Sequence, residues 1–579
     1  MNHQGDLTPP PPDVTPGASP QPAGRTRPWL ARYGLALGGA GAAVVVSAVA
    51  VAAVLLLNQS TASIEKMVPA THDALVIANL SPSIGQKVNW LRAVHSFPDT
   101  KTDAAISAKL DEAFKAAGLS FTSDVQPWLG GEVGVSGKVN VVSSADSPFA
   151  VFATSRDDTK ATAFLAKFRS GTIGKKYTWR DETYSGISIA SGTPTVASEK
   201  PVAYSLVDHT VVTASSAAII REIIDTDQNR AARLVDSADF KATMQLLPAD
   251  RLGMGYVAGK SLVASVKKQM AKPSTLGLPA LKTADDLNAL QGIGGALSAT
   301  STGVAFDVAV KLDTSKLSAA TRKAFGATGR PDAVLRWIPK SSDGFLAIAN
   351  VDQSIKSLLD QYGTDPSVKA GADAVGLTGA KGILPHLTGE LAVEVALGTG
   401  SIPSGAVLIG TNDAAAMNAF FAKLLGIAGS LSAGVGNTQG GVLTPNLGRA
   451  TTTTHRGVVI TSWNSSGLSG VVPSYAVLDG MGILGSSLAE VNAVIDAHAA
   501  GSNITTDSTY QAARAGSLSQ PNGIMYVNMA RVAGALQKLS TTAHVDAKAA
   551  GYLAPLQAFM LTATGQAGAA VERFFVVIK

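Results

Sequence analysis

Six blocks of this chain occur twice, in the same order, at offsets of roughly 255 to 275 residues. HDALVIANL (72–80), after Pro69, is echoed by DGFLAIANV (343–351), after Pro339. PWLGGEVGV (127–135) is echoed by PHLTGELAV (385–393), and FLAKF (164–168) by FFAKL (420–424). YSLVDHTVVTAS (204–215) pairs with YAVLDGMGILGS (475–486), and LPADRLGMGYV (247–257) with LSQPNGIMYV (518–527). The last pair is LSATSTGVAFDVAV (297–310) with LTATGQAGAAVERFFVV (561–577). Six ordered matches predict one fold used twice, with copy one at 65–313, a polar connector at 314–332 and copy two at 333–579.

Within a copy, apolar runs with period two alternate with runs at helical spacing. Ala74 to Leu80 reads as a strand, and Ile84, Val88, Leu91 and Val94 share one face of a helix over 83–95. A second helix is expected over 104–117, short strands at 132–136 and 149–154, and a helix at 157–168 with acidic residues in its first turn. Ala203 to Val207 and Val211 to Ala214 flank Asp208-His209, a hairpin pattern, and Asp479-Gly480 is the stronger turn dipeptide in copy two. Each copy ends in a hairpin-like pair, at 296–312 and 558–578. Short connections favour antiparallel pairing, so the expected class is α+β, a mainly antiparallel sheet with helices on one face.

The residues before copy one set the location. No charged side chain lies between Arg32 and Glu65, and 34–57 is small and aliphatic throughout. As a helix these 24 residues reach about 36 Å, against about 30 Å of hydrocarbon core, so the run predicts a transmembrane helix. Arg25, Arg27 and Arg32 precede it and no Lys or Arg occurs in 58–64, which places residues 1–33 in the cytoplasm and the copies outside. A cleaved signal peptide is the competing reading, but its apolar stretch is typically about 7–15 residues; a buried core helix is rarely so long and uniform. Residues 1–33, with four prolines at 9–12, read as a disordered tail.

Composition narrows the chemistry. The chain has no cysteine, which excludes disulfides, thiolate metal sites and a lipid-acceptor thiol. Beyond the tail, 44 basic and 40 acidic residues balance, with no clustered excess of the kind nucleic-acid binding requires. Aromatic residues make up only 6%, fitting a thin-cored sheet protein.

The search for catalytic constellations is mostly negative. There is no HExxH and no GxSxG. His72 and His209 stand beside Asp in turns, where an isolated His is expected to be solvated; copy two has Asp343 and Gly480 at the matching places. Ser63/Lys66 and Ser265/Lys268 match SxxK without SDN or KTG partners. GYVAGKS (255–261) resembles a phosphate loop but has three residues between its glycines instead of four, and its echo MYVNMAR (525–531) has none. Glu132 and Glu390 match between copies and read as partners for backbone donors, the alternative being symmetric site residues. The turn Trp128 to Gly131 reads as a packing corner, and Gly426 to Gly448 as a mobile loop. No catalytic, cofactor or metal residues are assigned.

The Pro-rich tail and single anchor, VPATHDALVIANL, QPWLGGEVGV, YSLVDHTVVTAS and LLPADRLGMGYV together resemble an actinobacterial membrane-anchored family, domain of unknown function 3352. The resemblance covers nearly the whole ectodomain and rests on packing and turn blocks, so it implies architecture and location and transfers no catalytic residues. The expected function is a non-enzymatic envelope binding or scaffold protein in the cell membrane, partnered by an envelope protein, wall component or lipid. Two alternatives are a carrier or sensor of an apolar ligand such as lipid, and an envelope hydrolase.

Overall fold

The computed structural model describes residues 63–579, apart from 116, 139–146, 197–198, 271–283, 320–321, 324–325, 327, 364, 398–402, 435–445, 467–471, 541–550 and 567. The tail at 1–33 and the apolar run at 34–57 lie outside the described residues. Among the described residues no helix is long and apolar enough to cross a membrane.

Twenty strands form one sheet, and every pairing in it is antiparallel. The first half supplies β1 (Ala74–Asn79), β2 (Leu129–Gly137), β3 (Phe149–Ser155), β4 (Tyr177–Tyr184), β5 (Ile187–Pro194), β6 (Val202–Val207), β7 (Thr210–Ala214), β8 (Gly253–Ala258), β9 (Leu290–Thr300) and β10 (Gly303–Leu312). The second half supplies β11 (Gly344–Ile348), β12 (Leu387–Ala396), β13 (Ser404–Thr411), β14 (Asn446–His455), β15 (Val458–Ser466), β16 (Ser474–Leu478), β17 (Met481–Gly485), β18 (Gly523–Val527), β19 (Leu556–Gln566) and β20 (Ala569–Ile578). Hydrogen bonding runs β4-β5-β6-β7-β3-β2-β1-β8-β9-β10 in the first half. The second half follows the same path, β14-β15-β16-β17-β13-β12-β11-β18-β19-β20. β10 and β20 join the halves, from Gly303↔Val577 to Lys311↔Ala569.

The two tight hairpins show why their dipeptides were legible. Asp208 and His209 have φ of 37° and 56°, and Asp479 and Gly480 have 46° and 78°. Positive φ at both central residues is what a type I′ turn needs to follow the twist of its strands.

Helices cover both faces of the sheet, not one as expected. On one face the turn Ile64–Met67 and the helices Ala217–Asp227 and Ala238–Met244 bury Leu75, Ile77, Phe152 and Val212. The opposite face of the sheet packs Val133, Tyr204 and Val211 against the helices Asp103–Lys115 and Asp158–Ser170. The second half repeats this, with Phe345, Leu408 and Ile483 under Leu488–Ala500 and Ser508–Ala515. Ile409 and Tyr475 lie on the other side with Ala414–Gly434. Strands such as Val202–Val207 are apolar at successive positions, so alternation leaves no face for water and both must be covered.

Two further expectations change. The stretch 426–448 is not a loop throughout: a helix runs to Gly434 and β14 begins at Asn446, while 435–445 is outside the described residues. The first echoed block is out of register by one. Ala74 pairs with Val257 and Gly344 with Val527, which makes Leu75 the counterpart of Phe345, both buried, and Val76 the counterpart of Leu346, both exposed. His72 therefore corresponds to Ser342 and not to Asp343.

Candidate functional site

Glu132 and Glu390 occupy equivalent places and do equivalent work. The Glu132 Oε2 accepts from the Ile64 N–H at 2.8 Å, and the Glu390 Oε2 from the Val334 N–H at 2.7 Å. Each carboxylate thus takes an unpaired N–H at the start of a helical turn, Ile64–Met67 or Asp332–Leu335. Burial raises both above the ordinary range, opposed by those backbone hydrogen bonds. They stand in separate halves, each serving its own turn.

Beneath the helical layer each half buries a polar pair at the same position. In the first half the His72 Nδ1 lies 2.7 Å from the Ser136 Oγ. That is the separation of a nucleophile and its base, but the residues are 2% and 1% exposed, so no substrate reaches them. His72 is not solvated as expected; burial, foremost, lowers it to about 4, so the ring is neutral. In the second half the Ser342 Oγ donates to the Glu394 Oε2 at 2.8 Å. Burial, then the neighbouring Glu490, pushes Glu394 up to about 8. The Glu394 carboxyl therefore keeps its proton at neutral pH.

The sequence near misses do not converge on a site. Ser63 caps the turn Ile64–Met67 without a side-chain bond, and Ser265 and Lys268 fall on the helix Gly259–Met270. At Gly259 a Cβ would sit 2.2 Å from the Leu290 carbonyl oxygen, so this glycine allows helix and strand to touch. His209 contacts the Asp158 Oδ2 through Nδ1 at 2.7 Å on an exposed hairpin. The Trp128 indole is buried and donates from Nε1 to the Asp124 carbonyl at 2.8 Å, a packing corner. Among the described residues no three His, Asp or Glu side chains gather where a metal could sit.

What does stand out is apolar, and it crosses the join between the halves. On the outer face of the central strands seven residues lie directly opposite one another in turn: Val393, Leu346, Met525, Leu561, Phe574, Phe306 and Leu297. They come from seven adjacent strands, so at about 4.8 Å per strand the row is about 29 Å long. Val393 is 38% exposed, Leu346 44%, Met525 38% and Phe306 46%. Phe574 touches both Phe306 and Phe559, each with ring centroids 6.3 Å away. A scattered exposed Leu is ordinary; a contiguous row is not, which makes this row the candidate site.

The row has no equally bulky counterpart in the first half. Where Met525 and Leu561 stand, the equivalent positions are Gly255 and Gly295. Sequence reading missed the row although β10 carries Val304, Phe306 and Val308 at alternate positions, on the face opposite the buried Ala305 and Ala309. Finding it required knowing that β10 lies beside β20.

No curated protein matches the chain. Among solved structures it is similar to crystal form I of TP0453, with a TM-score of 0.23 and 10% identity over 46% of this chain and 84% of that one. Crystal form IV of TP0453 gives a TM-score of 0.22 and 9% identity over 43% and 81%. A family model matches residues 37–574, nearly the whole length, and the chain belongs to that family, DUF3352, proteins of unknown function.

Proposed function

We propose that this chain is a membrane-tethered, non-enzymatic binding protein, held by the apolar run at 34–57 with its two homologous copies outside the cell. Its apolar partner lies along the row from Val393 to Leu297. The row carries the reading: Leu297 packs against the first half's own outer core, but the stretch of about 24 Å from Val393 to Phe306 leaves water only when something apolar covers it. The same order of pairing in both halves supports a duplicated origin, and the buried polar pairs, closed to solvent, leave binding as the better reading than turnover.

The test places a benzophenone amino acid at position 306 or 346 of the full chain in intact cells, with position 180 on the edge strand β4 as control. Ultraviolet light is expected to give a discrete adduct, lipid or protein, from 306 and 346 and none from 180. Equal labelling at all three positions, or none at 306 and 346, overturns the row as the contact surface. Protease added to intact cells tests the tether: cleavage of the copies only after permeabilisation overturns their placement outside.

A further inference from the structure

The two halves differ where their outer helical layers pack. From Gly118 and Gly376, both at positive φ, to the ends of β2 and β12, the halves correspond without a gap. In the first half this layer is plugged by rings. Phe121 is 1% exposed and packs on Phe114 at 5.9 Å, while Trp128, 2% exposed, packs on Phe164 at 5.1 Å. The residues at the places of Phe114, Phe121 and Trp128 are Ala372, Gly379 and His386. His386 turns outward, its Nδ1 3.3 Å from the Asn412 Oδ1 and 3.7 Å from the Asp413 Oδ2. Three rings of this layer are thus missing from the second half, while Phe421, buried at the place of Leu165, adds one.

A cavity of about 170 Å³, partly open to solvent, adjoins these positions through Leu377 and Ile383 of the same segment and is lined further by Val351, Ile355, Ile409 and Phe420, with Leu391 of β12 in its wall. Among the described residues the one charged member of the lining is Glu390, whose carboxylate is held by the Val334 N–H. With no cation to receive a headgroup, the lining suits an uncharged ligand. A dry cavity of about 150 Å³ lined by Leu, Ile and Phe takes up benzene or xenon. We propose that this cavity is a binding site for a small neutral apolar group, the size of a benzene ring or of the end of an acyl chain. The first half holds the same site filled by its own side chains. Leu391 and Val393 are two apart on one face of β12, so the cavity adjoins the end of the apolar row. The inference extends the proposed apolar partner to that partner's terminal group, and so rests on that reading for its biological ligand.

Fluorobenzene, followed by ¹⁹F NMR on the full chain in detergent micelles with empty micelles as blank, is the probe. Wild type is expected to bind it saturably. His386→Trp and Ala372→Phe, each restoring a ring of the first half, should weaken it by roughly tenfold or more. Arg180→Ala, on the edge strand β4 and outside both cavity and row, should leave it within about twofold. Thermal unfolding identifies any variant that does not fold, and the two plugging variants are independent of one another. No saturable binding by wild type, or undiminished binding by a folded plugged variant, overturns the cavity site. Loss in Leu346→Glu with the plugged variants unaffected moves the site to the row, overturning this inference and leaving the proposed function standing.

Discussion

Glu394 and His72 pull the stability of the protein in opposite directions as pH changes. An unfolded Glu ionises near 4.5, while in the folded chain burial and then Glu490 push Glu394 up to about 8. Between those values the folded state holds more proton than the unfolded one, so stability falls as pH rises, by up to about 1.4 kcal/mol per pH unit. For His72 the folded value is lowered to about 4 from 6.5, so the folded state holds less proton and stability rises as pH climbs between them. Glu394→Gln should therefore gain stability relative to wild type from pH 5 to pH 8. His72→Gln should gain relative to wild type as pH falls from 6.5 towards 4. Urea denaturation across pH 4 to 8 checks both, and a pH-independent difference between either variant and wild type sinks its assignment. Neither burial was legible in sequence: His72 reads as a turn residue, and Glu394 interrupts VEV in a strand where an exposed side chain would be expected.

Among the elements, the helical turns before β1 and β11 show a device shared by both halves. Each has in its first turn an N–H whose acceptor is a Glu of the neighbouring strand, Glu132 or Glu390. Replacing either by Ala should cost about 1–3 kcal/mol, the desolvation of a buried donor left without partner. The two costs should add within about 0.5 kcal/mol, because the sites share no partner. Denaturant midpoints of the two single variants and the double variant check this; a double variant no worse than one single would mean that the turns are not independently held. Sequence reading matched these two Glu correctly because Gly and Pro punctuate the block around them. It slipped by one residue in the adjacent strand because ALVIANL and FLAIANV match at two offsets. Only the partner strands choose between registers, and a one-residue slip exchanges the buried and exposed faces. The same blindness to neighbours put the helices on one face: a strand apolar on both sides states that both are covered, but not by what.

At the scale of the whole molecule the join between halves carries a signature of its own. β9 and β19 begin at Leu290 and Leu556, and β10 and β20 at Gly303 and Ala569, so equivalent residues here are 266 apart. Asp307 lies opposite Arg573, its own equivalent, and the two side chains meet: Nε to Oδ1 at 2.7 Å and Nη2 to Oδ2 at 3.2 Å. Pairing β10 with a second β10 in this register would bury Asp against Asp, and β20 with β20 would set Arg against Arg. Asp307 is 1% exposed, so water could not relieve the repulsion. The chain thus favours the pairing of its own unlike halves over association through like ones, a specificity that identical repeats could not have. Asp307→Arg in the full chain should destabilise by about 3–5 kcal/mol, because it leaves Arg573 facing a like charge beside the core. The exchanged variant, Asp307→Arg with Arg573→Asp, restores unlike charges at the same two positions and should recover most of that loss. Thermal unfolding of the single and exchanged variants decides it. If the exchange recovers nothing, β10 and β20 are registered by their apolar neighbours alone, and the charge pair follows the join instead of setting it.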